Sequence, residues 1–404
     1  MKDKKIARLI KLEEKRQQET LDMIASENHA SDDVLEANGS RLTDKYSEGY
    51  PGKRYYPGNK YIDEVEILAQ KRALSLFKLD PNEWHVNVQP YSGSPANMEI
   101  LLALALPGET ISGLKLSSGG HLTHGYKVSV TGKIWKAEQY DIDPKTGLVD
   151  FEALEKIAEM VRPKVIISGF TAYPRVVDFK RFYEITKKVG AYHVVDMSHI
   201  AGLIAGCAYP SPFPYADVVM TTTHKTLRGP RGAVIFCKKE LADKIDKAVF
   251  PGMQGGPHNN VTAAKAVCFW EASRPSFKKY ALQVVKNARV LADELTILGF
   301  TLVGGGTDSH LILVDLRPLG IPGGEAEKSL EAVGIIANRN TVPGDASPFN
   351  PSGLRLGTPA LTTRGMQETE MKEVAKMIHG AIAHKEVSKI KKEVLALAKK
   401  FPIS

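Results

Sequence analysis

The chain has 404 residues, 43% apolar and 25% charged, with a formal net charge of +8. This is the composition of a globular protein long enough for two or three domains with ample buried core, and no internal repeat or low-complexity tract interrupts it. The longest apolar stretch, Ile100 to Leu106, is far too short to span a bilayer, and Met1-Lys2-Asp3-Lys4-Lys5 leads into a charged amphipathic pattern without a signal-peptide core. A cytoplasmic location with no membrane partner is the expectation.

In chain order, helical periodicity runs through Ile6 to Met23 and Ile62 to Phe77, and an apolar run from Met98 to Leu106 reads as a further helix. Helices are expected from Asp150 to Val161 and from Phe179 to Lys188. Strands are expected at Lys164 to Ser168, Tyr192 to Asp196, Val218 to Thr222 and Ala233 to Phe236. This alternation predicts an α/β fold, a mainly parallel sheet flanked by helices, with a site at the strand ends. A boundary is placed near Ser273-Arg274-Pro275, after which a long helix, Phe277 to Leu298, leads into a smaller C-terminal α/β domain. There a strand, His310 to Asp315, precedes a glycine-rich connection from Leu319 to Gly324. The expected division is a helical arm (1–20), a large domain (21–275) and a small domain (276–404).

A net charge of +8 raises the question of a nucleic-acid partner. The basic residues are spread along the chain, however. Their densest cluster, Lys385 to Lys400, sets Val387, Ile390, Val394, Leu397 and Ala398 on one face with lysines opposite, the pattern of a solvated amphipathic helix. No nucleic-acid partner is expected. Cys207, Cys237 and Cys268 are isolated, without the spacing of a metal site, and their odd number argues against a disulfide framework. Each is expected to be a small buried or half-buried residue, and no metal is expected.

The most informative stretch is TTTHKTLRGPRG, Thr221 to Gly232, which sets Lys225 among hydroxyls, a histidine, two arginines and glycines just after a buried strand. A nucleophilic lysine needs a held, partly desolvated amine, which such a turn supplies; the competing reading is a solvated surface lysine. Upstream, the strand Ala191 to Asp196 ends in an acid, followed by Met197-Ser198-His199. A carboxylate there suits the pyridine nitrogen of pyridoxal phosphate, whose protonated ring withdraws electrons from substrate; alternatively Asp196 caps the following turn. His199 would contact the ring oxygen or orient the lysine. Tyr91-Ser92-Gly93-Ser94-Pro95-Ala96-Asn97 is a candidate phosphate turn, since small residues let backbone amides approach a dianion at a helix N-terminus, although a Ser-Gly-Ser turn is also an ordinary helix cap. Gln254-Gly255-Gly256-Pro257 is a second loop of this kind.

These residues, with Ile24 to Asn28, Tyr46 to Tyr56, Ser118 to Gly125 and Gly353 to Ala360, carry a resemblance over nearly the whole chain. The sequence resembles serine hydroxymethyltransferases, pyridoxal phosphate enzymes of the aspartate aminotransferase fold class (fold type I). Several long motifs in the family's order are far more specific than any short pattern.

The resemblance implies reversible transfer of the serine hydroxymethyl carbon to tetrahydrofolate, giving glycine and 5,10-methylenetetrahydrofolate. It implies that Lys225 binds the cofactor covalently, that Asp196 pairs with the ring nitrogen, that His121 stacks on the ring, and that His199, Thr222 and Thr171 lie near cofactor and lysine. Ser92, Gly93 and Ser94 would bind the phosphate, with Tyr46 and Gly256 reaching it from a partner subunit. Arg355, helped by Ser26, would grip the amino acid carboxylate, for which a guanidinium fork is suited. Glu48, with Tyr56 from the neighbouring subunit, would handle proton transfer; read alone, it is an acid in a Gly- and Tyr-rich loop. Leu116, Gly120, Leu122, Asn340, Ser347, Pro348 and Phe349 match the family's folate-binding positions. A homodimer with shared sites follows, and part of the positive charge would favour the glutamate tail of folate.

Two departures bear on these roles. Thr171 stands where relatives usually carry serine, which keeps the hydroxyl and changes its geometry. The segment Val342 to Ala346 is slightly shorter than in common bacterial members and borders the pterin site, so a modified pterin is an alternative carrier to tetrahydrofolate. Two other readings compete: a threonine or allothreonine aldolase, which needs no folate, and a cofactor-free RNA-binding or scaffold protein.

Overall fold

Two separate stretches of chain, residues 1–29 and 283–404, build one unit of the computed structural model, and residues 30–282 build the other. Residues 1–345 and 349–403 are described, so the expected folate positions Ser347 and Pro348 lie outside the described residues. Among the described residues no helix is long and apolar enough to cross a membrane.

The chain opens with α1 (Lys4–Glu19), capped by Asp3, whose Oδ1 accepts from the backbone N of Lys5 at 3.0 Å and of Ile6 at 3.1 Å. The expected helix to Met23 is shorter than its periodicity suggested, because Leu21 and Met23 are both fully buried and two residues apart, a strand spacing. Leu21 and Asp22 form β1 (Leu21–Asp22), parallel to Ile335–Ile336.

The unit of residues 30–282 begins with α2 (Asp32–Asn38), the hairpin β2 (Gly49–Tyr50) and β3 (Lys53–Arg54), and α3 (Lys60–Leu76). Strands and helices then alternate: β4 (Trp84–Asn87), α4 (Gly93–Leu104), β5 (Thr110–Ser112), α5 (Val130–Ile134), β6 (Lys136–Ala137), α6 (Phe151–Val161), β7 (Val165–Ser168), α7 (Phe179–Val189), β8 (Tyr192–Asp196), α8 (Ala201–Ala205) and β9 (Val218–Thr222). β10 (Ala233–Lys238), α9 (Ala242–Lys247) and α10 (Asn259–Ala272) follow, and the unit ends within α11 (Pro275–Ile297). The seven-stranded sheet has the order β4-β10-β9-β8-β7-β5-β6. Only β10 runs opposite in direction to the other six strands, so the mainly parallel α/β sheet read from the sequence is the observed one. Its central strands are buried on both faces, Val218, Val219 and Met220 completely, which is why they read as continuous apolar runs. α7 shows how locally its ends are specified: Asp178 caps Arg181 N at 3.0 Å, Lys187 and Lys188 sit in the last turn, and Gly190 at φ 73° closes it.

α4 begins five residues before the expected start at Met98, because Ser92 stands at the N-cap and Gly93-Ser94-Pro95 form its first turn, where proline is tolerated. Cys237 and Cys268 are buried as expected, whereas Cys207 is exposed: it follows the short α8 in a left-handed conformation, φ 59°, that turns it out of the core.

The unit of residues 1–29 and 283–404 contains β11 (Thr301–Leu302), β12 (Leu311–Asp315), α12 (Gly323–Val333), β13 (Ile335–Ile336), β14 (Asn338–Asn340), β15 (Gly353–Gly357), α13 (Pro359–Thr363), α14 (Glu368–Ile382) and α15 (Val387–Lys400). An antiparallel sheet of order β11-β12-β15-β14 packs on helices through Ile312, Val314, Leu354, Leu356, Met371 and Ile378. On α15, Ile390, Val394, Leu397 and Ala398 face this core as expected. Val387 departs from that face: it is 38% exposed at the first helical position, directly after Glu386 in a left-handed turn.

Candidate active site

β8 and β9 run parallel, with Asp196 in register with Met220, so Asp196 and Thr222 emerge at the same edge of the sheet. Past Thr222 the chain makes a tight turn closed by Gly229 N to Thr223 O at 2.7 Å and Thr223 Oγ1 to Pro230 O at 2.6 Å, and this turn presents a half-buried Lys225. Lys225, Asp196, His199, Thr222, His121, Thr171 and Gly93 line one small cleft, together with His124, Phe170 and Ser198.

Asp196 is held from three sides: Oδ2 accepts from Asn97 Nδ2 at 3.1 Å and His124 Nε2 at 3.2 Å, and Oδ1 accepts from Ser198 N at 3.1 Å. It therefore caps the next turn and carries a charge. Burial alone would push its carboxyl up, but the hydrogen bond and charge of His124, then Lys225 and His121, outweigh burial and hold it far below the usual carboxylate range. At any working pH it is ionised.

Asn97 Nδ2 also donates to Thr123 Oγ1 at 2.8 Å, which leaves the threonine hydrogen to point at His121 Nδ1, 2.7 Å away. Thr123 N donates to the same ring nitrogen at 3.2 Å, so Nδ1 is an acceptor and the proton is on Nε2. Burial, then the charge of His124, pushes the His121 imidazole down to about 4. The ring is neutral, as a stacking partner should be. His224, beside Lys225 in sequence, is pushed down to about 3 by burial and the charges of Lys225 and Arg231.

The first turn of α4 faces this region. Ser92 stands at its N-cap without a side-chain cap bond, so the amides of that turn keep their pull on an anion, and a Cβ at Gly93 would come within 2.7 Å of Thr222 Cγ2. Glycine is needed there for close packing. The preceding residue is fastened from Gln254 to His258: Tyr91 N donates to Gln254 Oε1 at 2.8 Å, Tyr91 OH donates to Gly256 O at 2.7 Å, and the Tyr91 and His258 rings stack at 4.2 Å. The Gln254-Gly255-Gly256-Pro257 loop is thus a backbone support for the turn.

A second group lies on the β2–β3 hairpin and its flanks. Tyr46 and Tyr56 have ring centroids 5.2 Å apart and are 59% and 42% exposed; a Cβ at Gly256 would meet Tyr46 at 3.1 Å, and one at Gly255 would come 3.4 Å from Glu48 Oε1. Tyr46, Glu48, Tyr56 and Gly256 therefore cluster, and the cluster is not part of the Lys225 cleft. Arg54 anchors the hairpin, with ion pairs to Glu66 at 2.6 Å and Asp63 at 2.8 Å and bonds to the carbonyls of Ser47 and Gly49. Leu116 opens a short 3-10 turn, and Gly120 and the 47% exposed Leu122 flank His121.

In the other unit Arg355 lies in the middle of β15, opposite Leu313 and Asn338, 7% exposed, with Nε donating to Asn338 Oδ1 at 3.2 Å. Burial pushes its guanidinium down to about 10, resisted by Glu27, which leaves it charged. The segment bearing Ser26 runs beside the end of the same strand: Gly357 N donates to Met23 O at 2.8 Å, and a Cβ at Gly357 would lie 2.4 Å from Ala25 Cα. Ser26 and Arg355 are thus carried on adjacent backbone. Asn340 pairs with Gly353 and donates to Thr341 O at 2.8 Å, and Phe349 is 90% exposed.

Sequence reasoning missed Asn97, His124 and Ser198, which hold Asp196, and Phe170. Asn97 lay inside the quoted phosphate turn and His124 inside the Ser118 to Gly125 run, but their role depends on long-range contact with β8 that no local spacing encodes.

A family profile described as serine hydroxymethyltransferase matches residues 1–378. A protein of Desulfotalea psychrophila named serine hydroxymethyltransferase is 54% identical, covering 99% of this chain and 94% of that protein. One of the same name from Koribacter versatilis is 52% identical, over 99% and 94%.

Proposed function

The chain belongs to the serine hydroxymethyltransferase family, and from that membership we propose that it carries the hydroxymethyl carbon of serine reversibly to tetrahydrofolate, leaving glycine, with the Lys225 cleft as the seat of chemistry. The observation that carries the site assignment is one cleft uniting a lysine, an obligatorily ionised carboxylate and a neutral imidazole, with Gly93, from the uncapped first turn of α4, in its lining. This donor set fits pyridoxal phosphate, and Thr222 Oγ1, buried with no hydrogen-bond partner among the described residues, adds a polar group for it. When bound, that cofactor supplies an electron sink for the electrons released as the bond between the α and β carbons breaks.

Lys225 would hold the cofactor through its amine, with His199 and Thr171 beside it. Asp196 would keep the proton on the pyridine nitrogen, and its three donors keep Asp196 from taking that proton itself. His121 would lie flat on the ring, its plane fixed through Thr123. Ser92, Gly93 and Ser94 would bind the phosphate through hydroxyls and helix-terminal amides. Arg355 would fix the substrate carboxylate with two parallel hydrogen bonds, assisted by Ser26.

Glu48 would move the proton at the serine hydroxyl through its carboxylate, with Tyr56 beside it. Because the Tyr46, Glu48, Tyr56 and Gly256 cluster is outside the Lys225 cleft of its own chain and its tyrosines are exposed, a homodimer in which each chain completes the other's site accounts for it. Leu116, Gly120, Leu122, Asn340 and Phe349, with Ser347 and Pro348, would form the pterin side; tetrahydrofolate is the favoured carrier and a modified pterin the alternative. The compartment assigned is the cytoplasm; the arm (1–20), large domain (21–275) and small domain (276–404) are the proposed functional division, the arm falling in the same compact unit as residues 283–404.

The test is an absorbance spectrum with pyridoxal phosphate, followed by glycine and then tetrahydrofolate, alongside Lys225→Ala. The expected result is a visible band that moves to longer wavelength only with both ligands and is lost in the variant. A band indifferent to folate would shift the assignment to a folate-independent aldolase, and no band would overturn it.

A further inference from the structure

The stretch of residues 254–265 that clasps the turn before α4 ends in a lysine with no part in the chemistry above. Lys265, on α10, is 1% exposed, and its Nζ donates to Val88 O at 2.7 Å and Pro90 O at 3.0 Å. Those carbonyls bracket Gln89 and immediately precede Tyr91 and Ser92. Space for the lysine is made by Gly232, where a Cβ would lie 2.5 Å from Lys265 Cε.

Burying an ammonium costs several kcal/mol unless something compensates, and a methionine would fill the same volume without that cost. The two carbonyl acceptors supply part of that compensation. Glu99 on α4 is fully buried, and neither carboxylate oxygen has a hydrogen-bond partner among the described residues. Burial pushes the Lys265 amine down to about 7, resisted by Glu99 and Glu66, and pushes the Glu99 carboxyl up to about 8, resisted by Lys265. The lysine thus grips the strand side of the turn, and the buried Glu99 carboxyl, raised by its burial, lies on the helix side.

We propose that Lys265 is a positioning residue for the phosphate-binding turn Ser92-Gly93-Ser94: its amine fixes the backbone from Val88 to Pro90, immediately before Tyr91 and Ser92. The proposal rests on the reading of that turn as the cofactor's phosphate site. A side chain acting through this turn affects a ligand that carries a phosphate and spares one that does not.

The test is titration of protein stripped of cofactor with pyridoxal phosphate and, separately, with pyridoxal, which lacks only the phosphate. Parent, Lys265→Met, Gly232→Ala and the double variant are compared, with thermal unfolding of each recorded without ligand. Lys265→Met is expected to weaken pyridoxal phosphate binding about tenfold and pyridoxal binding by less than about twofold, the loss of two backbone-holding hydrogen bonds. Gly232→Ala, whose added Cβ would press on Lys265 Cε, is expected to give a smaller loss with the same phosphate dependence, and the double variant no more than Lys265→Met. Equal losses for both ligands, or none, overturn the proposal. If Lys265→Met does not fold, Gly232→Ala decides it, because its methyl displaces the lysine chain without removing the amine. A parent that binds both ligands equally overturns the phosphate-site reading, and this proposal with it.

Discussion

Thr226, next to Lys225, is fully buried and ties the lysine turn to the His199 loop with one hydroxyl. Its Oγ1 donates to His199 O at 2.9 Å and accepts from Gly202 N at 2.9 Å. The backbones meet so closely that a Cβ at Gly202 would lie 2.1 Å from Thr226 O, so the contact is not free to rearrange. Thr226→Val keeps the shape and deletes both bonds. Leaving the Gly202 N–H buried without a partner costs about 1–3 kcal/mol, and losing the bond to the His199 carbonyl costs about 1 kcal/mol more. The sum is about 3 kcal/mol, only partly offset by burial of the added methyl. With a urea slope of about 3 kcal/mol/M, the unfolding midpoint falls by roughly 1 M. Circular dichroism in urea measures it, and pyridoxal phosphate titration reads the accompanying loosening of Lys225. Thr226→Ser, which retains the hydroxyl, should lose less. A valine variant within about 0.5 kcal/mol of the parent, or a serine variant as damaged as valine, would refute the reasoning.

Other outcomes follow from the same structure. Arg364, 7% exposed, donates to the carbonyls of Phe401 and Thr20 at 2.6 Å, Ala398 at 2.6 Å and Gln18 at 3.1 Å; Arg364→Met should cost about 3–5 kcal/mol, measured by chemical unfolding. Arg355→Lys keeps the charge and loses the fork, so KM for serine should rise by about tenfold or more while the spectrum of the bound cofactor is unchanged. Glu48→Gln should lower folate-dependent serine cleavage by about 100-fold or more and spare cleavage of allothreonine, separating proton transfer at the hydroxymethyl group from carbon–carbon bond cleavage as such. The Glu99 carboxyl, raised to about 8 by burial from a usual value of 4.5, favours folding when protonated. Its contribution is complete below about 4.5 and lost as pH rises toward 8, so Glu99→Gln should flatten the fall in thermal stability between about pH 5 and 7. The Lys265 amine, lowered to about 7, contributes with opposite slope only above that value, and a parent no more pH-sensitive than the variant below pH 7 would count against the shift.

What could be read from the sequence divides along a physical line. β8 and β9 were found with their observed bounds because strands buried on both faces must be continuous apolar runs, and their polar ends had to be where chemistry is placed. Lys225 and Asp196 were legible for that reason, each being the polar residue a buried strand delivers to the sheet's edge. The first helix was overextended because Leu21 and Met23 continue an apolar pattern whose true partner, β13, lies more than 300 residues away in the chain. His124 and Asn97 were missed for the same cause, since their bonds to Asp196 span 72 and 99 residues. Lys265 is the sharpest case: in sequence it sits on a helix among alanines and reads as one more solvated base, and only the carbonyls of Val88 and Pro90, brought beside it by folding, make it a support for the turn. Local pattern locates the groups that react, whereas the groups that hold them still are defined by contacts distant in the chain. The supporting residues are therefore where a close relative can differ without any visible change in its motifs, and where substitution should alter affinity before it alters the reaction.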